Sequence, residues 1–137
     1  MTEQVAKWLA GWDGGVAVRA EGLEVKPGEM AVYRQGVAAK QEYPDGSAEE
    51  THRFALEICL PAHTAAMRAA NAGKLWELEE WIVRQDVACS FPVFADRICW
   101  RAELISGFAL KSSDAAASVY RAQMDLYCMV TEGGEAG

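Results

Sequence analysis

The sequence predicts an α+β fold, a mostly antiparallel β-sheet with one long helix packed on a face and a short N-terminal helix. Three observations predict it. Phe54, Leu56, Ile58 and Leu60 alternate with Arg53, Ala55, Glu57 and Cys59, the period of a strand with one face in a core. Met67, Asn71, Leu75, Leu78 and Ile82 step by three or four, the period of a helix, with Ala70 and Trp81 beside the stripe. Two further alternating segments, Ile98–Leu104 and Tyr120–Val130, follow that helix. Strands, a helix and two more strands are consistently solved by a sheet whose apolar face the helix covers.

The chain of 137 residues is one domain's worth of sequence, 51% hydrophobic and 24% charged. Residues 1–131 are read as the domain and 132–137 as a flexible tail, because that tail carries no apolar anchor. The formal net charge of −7 argues against nonspecific nucleic-acid binding, which needs a basic face. Apolar runs are short and broken by charge, so no membrane span is expected. The N-terminus lacks a basic, apolar leader, so a cytoplasmic protein is expected.

In chain order, Val5, Trp8, Leu9 and Trp12 form one face of the first helix, with Thr2 as its candidate cap and Gly14-Gly15 as its stop. Two tryptophans on so short a helix must bury against the domain or a partner. Val16–Arg19 and Met30–Arg34 read as strands, with a Pro27-Gly28 turn between. Residues 36–50 are polar and turn-rich and read as an exposed hairpin loop. Within it Pro44 presets φ and Gly46 supplies positive φ. Pro61 ends the central strand and Thr64 caps the long helix. Gly73 lowers that helix's stability by about 1 kcal/mol relative to alanine and is read as a point of close packing on the sheet. The helix stops before Pro92. Trp100 alternates in phase with Ile98 and Leu104 and is read as core. The following strand bends near Ser106-Gly107, and residues 111–114 form a loop.

No residues assemble into a known catalytic motif. GxGxxG, P-loop and GxSxG patterns are missing from the sequence. Glu77, Glu79 and Glu80 read as a solvated helix face, with Glu80 and Arg84 as an i,i+4 pair. His63 near Cys59 lacks an orienting acid in any evident register, and His52 reads as an exposed loop residue. Cys59, Cys89, Cys99 and Cys128 form no CxxC pair and no zinc spacing with the histidines, and read as reduced thiols serving as small apolar groups. Neither a cofactor nor a metal nor catalysis is expected. Arg19, Arg34, Arg53, Arg97, Arg101 and Arg121 fall on or beside strands. They read either as a solvated sheet face or as a surface complementary to another subunit.

Three stations along the chain carry a resemblance. They are Tyr43-Pro44-Asp45-Gly46-Ser47 before the Phe54–Leu60 strand, the helix ending Leu78-Glu79-Glu80-Trp81-Ile82 with Gln85 after it, and Pro92 followed by two strands with Tyr120 opening the last. In this order and spacing, over residues 5 to 130, the chain resembles the minor capsid and tail-terminator-like proteins of long-tailed phages and prophages. The Tyr-Pro before Asp45, where an aliphatic residue is common, and Cys89-Ser90 in a usually polar loop depart from that pattern.

The resemblance implies a ring-forming homo-oligomer, typically a hexamer, that ends tail-tube polymerisation and meets the head connector. Its partners are then itself, the tail-tube protein and connector proteins. It works in the cytoplasm during assembly and afterwards in the virion. A head-completion protein or a non-viral protein-binding adaptor are the alternatives. The candidate interface residues are Trp8, Trp12, Tyr43, Asp45, Arg34, Arg101 and Arg121. Replacing Trp8 and Trp12 together by alanine is expected to weaken assembly, as read by light-scattering mass.

Overall fold

A computed structural model describes residues 1–21 and 25–131. The sequence-predicted tail at 132–137 lies outside the described residues. The elements are α1 (Thr2–Leu9), β1 (Ala17–Ala20), β2 (Glu29–Glu42), β3 (Ala48–Pro61), α2 (Ala65–Val87), β4 (Ile98–Ser113) and β5 (Ala117–Val130). The five strands form one sheet in the order β1-β2-β3-β5-β4. β1 runs parallel to β2, and every other pair is antiparallel. The fold is therefore α+β, with a mostly antiparallel sheet.

β3 is the middle strand and shows the expected alternation. Phe54, Leu56, Ile58 and Leu60 point into the core, joined there by Met30 and Val32 of β2 and by Met124, Leu126 and Cys128 of β5. α2 lays Leu75, Leu78 and Ile82 on this face. Each such burial contributes roughly 1.5–3 kcal/mol. Met67, assigned to the same stripe, is exposed instead, because it lies in the first turn of α2. Thr64 caps that turn, its Oγ1 accepting the Met67 amide at 3.1 Å. Gly73 faces open space and packs on nothing, which corrects its reading as a close contact.

Polar groups tie α2 to the sheet as well. Asn71 Nδ2 donates to the Pro61 carbonyl at 2.9 Å, and Asp86 Oδ1 accepts the Ala102 amide at 2.9 Å. Glu79 accepts the Phe108 amide at 3.3 Å, so it is not simply a solvated carboxylate. The last two bonds go to β4, whose pairing with β5 shifts register between Cys99 and Arg101 and at three later points, one of them at the expected Ser106-Gly107 bend. Amides that an irregular strand diverts from its ladder need other acceptors. A Cβ on Gly107 would sit 3.0 Å from Glu79 Oε1, so a side chain there would have to push the Glu79 carboxylate aside.

Several boundaries differ from the sequence reading. The long 36–50 loop is mostly strand, because β2 continues to Glu42 and β3 starts at Ala48. Only the turn at Tyr43–Ser47 remains. There Gly46 adopts φ +88°, and Asp45 Oδ1 accepts from the Ser47 amide and hydroxyl at 2.9 and 2.5 Å. Cross-strand pairing outweighs the polar composition of the arms. Likewise β4 continues through Ser113, leaving the turn to Asp114 and its neighbours, where Asp114 accepts the Ala116 and Ala117 amides. Thr2 is already helical and Met1 is the cap residue, without a side-chain hydrogen bond. α1 ends at Leu9, before the glycines, and Trp12 follows in a turn, its indole lying over Gly14.

α2 ends in a Schellman arrangement. Ser90 N–H bonds to the Gln85 carbonyl at 2.9 Å and Cys89 N–H to the Asp86 carbonyl at 3.1 Å. The left-handed position is held by Cys89, with φ +56°, where glycine is preferred. Cys89→Gly is expected to stabilise the fold by about 0.5–1 kcal/mol, read as a higher urea midpoint. Leu78→Ala is expected to cost about 2–5 kcal/mol in the same measurement, because Leu78 is fully buried between α2 and the sheet.

Candidate assembly surface

The sheet presents two polar regions. The first is the face turned away from the helices. Here Arg53 on β3 grips Asp125 on β5 through two hydrogen bonds of 2.8 and 3.0 Å, and the two residues are register partners. Glu57 receives Lys111 Nζ at 2.8 Å and Arg121 Nη1 at 3.3 Å. Glu57 and Asp125 are buried by these longer side chains and by small neighbours such as Ala31 and Ala55. The alternating Arg and acidic residues expected on the polar face thus pair with each other across strands. Arg53 is held above its ordinary pKa by its hydrogen bonds to Asp125 and then by that carboxylate's charge.

The second region lies on the helix-bearing face, beyond Phe54. Alternation continues outward through His52 and Glu50, so His52 is buried, not an exposed loop residue. Arg34 Nη2 stands 3.2 Å from His52 Nδ1, while His52 Nε2 stands 2.9 Å from Glu50 Oε1. A guanidinium only donates, so Nδ1 accepts from Arg34, while Nε2 faces both the Glu50 carboxylate and Arg97 Nη1, the latter at 3.1 Å. Arg97 Nη1 also donates to Glu50, at 3.1 Å, and Lys40 lies 3.8 Å from the other oxygen. Burial lowers the His52 pKa. The Glu50 bond and charge oppose this, and Arg97 and Arg34 add to the lowering. Burial alone raises the Glu50 carboxyl, but the His52 bond and the His52, Arg97 and Lys40 charges bring it below the usual range.

The seven sequence-predicted interface residues do not converge on one patch. Arg34 belongs to the His52 cluster. Arg121 pairs with Glu57 on the opposite face. Tyr43 and Asp45 stand exposed at the hairpin tip, where the Ser47 bonds hold the Asp45 carboxyl below its usual range. Arg101 is exposed near the β4 edge, its guanidinium 5.2 Å from the Tyr127 ring centre and paired with Glu103. Trp8 is half-buried, 5.2 Å from the Trp81 ring, and its Nε1 donates to the Ser90 carbonyl at 2.9 Å. It still lines a groove of about 550 Å³ with Lys7, Phe91, Pro92 and Val93. Trp12 is only 5% exposed and belongs to the core. The domain itself therefore buries Trp12, and replacing both tryptophans by alanine reads folding before it reads assembly.

Other surface residues escaped the sequence reading. Trp100 is 48% exposed and tilts against Tyr127 at 5.4 Å, which corrects its assignment to the core. The register shift after Cys99 is the cause: it turns Cys99 and Ala102 inward and Ile98 and Trp100 outward. Ile105 and Leu110 are exposed further along the same strand. On α2, Trp76, Val83 and Val87 are exposed, Trp76 and Val83 on the flank that borders β4, beside Phe108 and Leu110 and beside Arg101 and Leu104 respectively. Their spacing of seven and four, continued back through Ala72, Ala69 and Ala65, was legible as a second helical stripe.

Among the described residues, no group of three His, Cys, Asp or Glu is placed to hold a metal ion, and no helix is long and apolar enough to cross a membrane. His63 is exposed, whereas Cys59 is buried in β3, and burial followed by the Asp114 and Glu29 charges pushes its thiol up. A scan against protein-family models found no match, and a search of the curated proteins found none.

The His52 cluster makes a pH prediction. A histidine with a lowered folded pKa leaves the unfolded chain binding more protons as pH falls below the ordinary value of 6.5. Stability is then lost on acidification from about that pH. Loss through Glu50 adds at lower pH, since its folded pKa lies below the ordinary 4.5. Urea unfolding at a series of pH values is expected to show this decline, and His52→Gln to flatten the part nearest 6.5.

Proposed function

We propose that this chain is a structural protein of a phage or prophage head-tail junction, a ring-forming tail terminator that ends tail-tube polymerisation and joins tail to head. The observation that supports it best is the placement of the two sheet edges. β4 forms one end of the sheet, with Ile98, Trp100, Ile105 and Leu110 exposed along it. At the other end β1 pairs only with Glu29–Val32, so β2 has no outer strand from Tyr33 to Glu42 among the described residues. Two different edges facing opposite ways suit a head-to-tail contact, and such a contact repeated with a closing rotation makes a ring.

The side chains fit that use. An edge strand with exposed large apolar groups is a template for pairing with another chain. The hairpin tip at Tyr43–Ser47 projects beyond the paired strands, and the exposed stripe of α2 offers a second apolar strip to the tail tube or the connector. In this reading the chain works through surfaces, with no cofactor and no chemical step. The order and spacing of the three sequence stations supply the phage context.

Two measurements test the proposal. Mixed with tail tubes, the protein is expected to cap one end in electron micrographs. Decoration along the tube sides, or no binding, overturns the terminator role and leaves the adaptor or head-completion reading. Ile98→Lys places a charge at an exposed position on the β4 edge. It is expected to reduce the light-scattering mass toward that of a single chain while leaving the thermal melt unchanged. An unaltered oligomer mass counts against β4 as the ring contact.

A further inference from the structure

Cys99 and Cys128 stand directly opposite each other on β4 and β5, and their sulfurs are 3.0 Å apart. Both are buried, in the core layer beneath Arg97 and the His52 cluster. Nothing in the sequence spacing announces the pair, which arises because the β4 register places these two positions together. Directly opposed antiparallel residues have Cα separations of roughly 4.5–5.5 Å, inside the range of about 4.4–6.8 Å that a disulfide spans. Bond formation needs the sulfurs to close to roughly 2.05 Å, a movement the side chains can make without the backbone. The remaining thiols are placed differently. Cys59 lies on the other face of the sheet, and Cys89 is exposed at the end of α2.

We propose that Cys99 and Cys128 are a redox-active cross-strand pair, which hydrogen peroxide converts into an intramolecular disulfide pinning the β4 edge strand to β5. In the first step one sulfur, as the thiolate, attacks a peroxide oxygen. The O–O bond breaks, hydroxide leaves and takes up the thiol's proton as water, and a sulfenic acid remains. In the second step the other sulfur attacks that sulfenic sulfur. The S–O bond breaks, the S–S bond forms, and the hydroxyl leaves with the second thiol's proton as a second water. Two thiols are oxidised by two electrons and one peroxide is reduced to two waters.

The surroundings favour this pair over the others. Either sulfur can donate to the other, so a hydrogen bond within the pair stabilises whichever one is the thiolate. On Cys128 that bond and then the Arg97 charge favour the thiolate, against burial and the Glu50 and Asp96 charges. Cys99 is 8% exposed on a strand at the sheet edge, so a molecule as small as peroxide has a short path to the pair. The consequence is mechanical. β4 is the most irregularly paired strand, and a covalent link at its first turnaround of register would hold it in its present alignment.

The test uses the full chain carrying Cys89→Gly, which removes the exposed thiol at a position that prefers glycine. After peroxide treatment, denaturation and alkylation with N-ethylmaleimide, only Cys59 is expected to be modified, and the unalkylated mass is expected to fall by about 2 Da. Trypsin should then release residues 98–101 linked to residues 122–137, and dithiothreitol should separate them. The oxidised form is expected to melt about 5 °C or more above the reduced form. The parent chain, whose Cys89 is accessible, reports that the oxidant is active. The proposal is overturned if, under that oxidant, Cys59, Cys99 and Cys128 all stay alkylatable. It is equally overturned if Cys99 or Cys128 gains about 32 Da as a sulfinic acid with no linked peptide. Cys99→Ser, confirmed as folded by circular dichroism, should lose the 2 Da change; its persistence there assigns the bond to other thiols and also overturns the pair.

Discussion

The inner face of β3 is the constraint on which the rest of the molecule depends. Phe54, Leu56, Ile58 and Leu60 can leave water only if strands flank them and a helix covers them. β2 and β5 provide the flanks, and the Leu75, Leu78 and Ile82 stripe of α2 provides the cover, assisted by α1 through Val5, Leu9 and Trp12. Because α2 must lie over the sheet, its carboxylates at Glu79 and Asp86 come within reach of β4. The helix thus shapes the strand that follows it as well as covering the strands before it.

Charge is arranged by the same sheet. The side of β3 opposite the core carries Arg53 and Glu57, each answered by a residue of opposite charge directly across on β5. At the open end of the core face, where α2 no longer covers the strands, the apolar row gives way to His52 and Glu50. Burying them without partners would be costly, and Arg34, Arg97 and Lys40 provide the partners. The molecule therefore grades from an apolar centre to a hydrogen-bonded polar end on one face, and from paired charges to water on the other. Among the described residues, most of the exposed large apolar groups are peripheral, on β4 and α2.

The local patterns that were legible in the sequence are those with one strong period. The β3 alternation, the α2 stripe, the Thr64 cap, the Pro44-Asp45-Gly46 turn and the β5 alternation are all in place. Each depends on interactions within a few residues or on a single buried face. The errors have a common origin in contacts between strands distant in sequence. The polar arms of residues 36–50 become strand because they pair across a hairpin and with β5, and His52 is buried for that reason. Trp100 faces outward because one register shift moves it out of phase with the residues that follow.

The sequence by itself determined the α+β class, the order of the main elements, the core of β3 and α2, and the turn chemistry at Asp45 and Thr64. Hydrophobic period and local hydrogen bonding act over short spans, so they are written in the order of residues. Tertiary structure alone decided the course of β4, the partners of Glu50 and His52, the burial of Trp12 and the meeting of Cys99 with Cys128. A strand's register is set by what it pairs with and what packs on it, and a shift of one residue exchanges its inner and outer faces. Neither sulfur's neighbours in sequence contain that information.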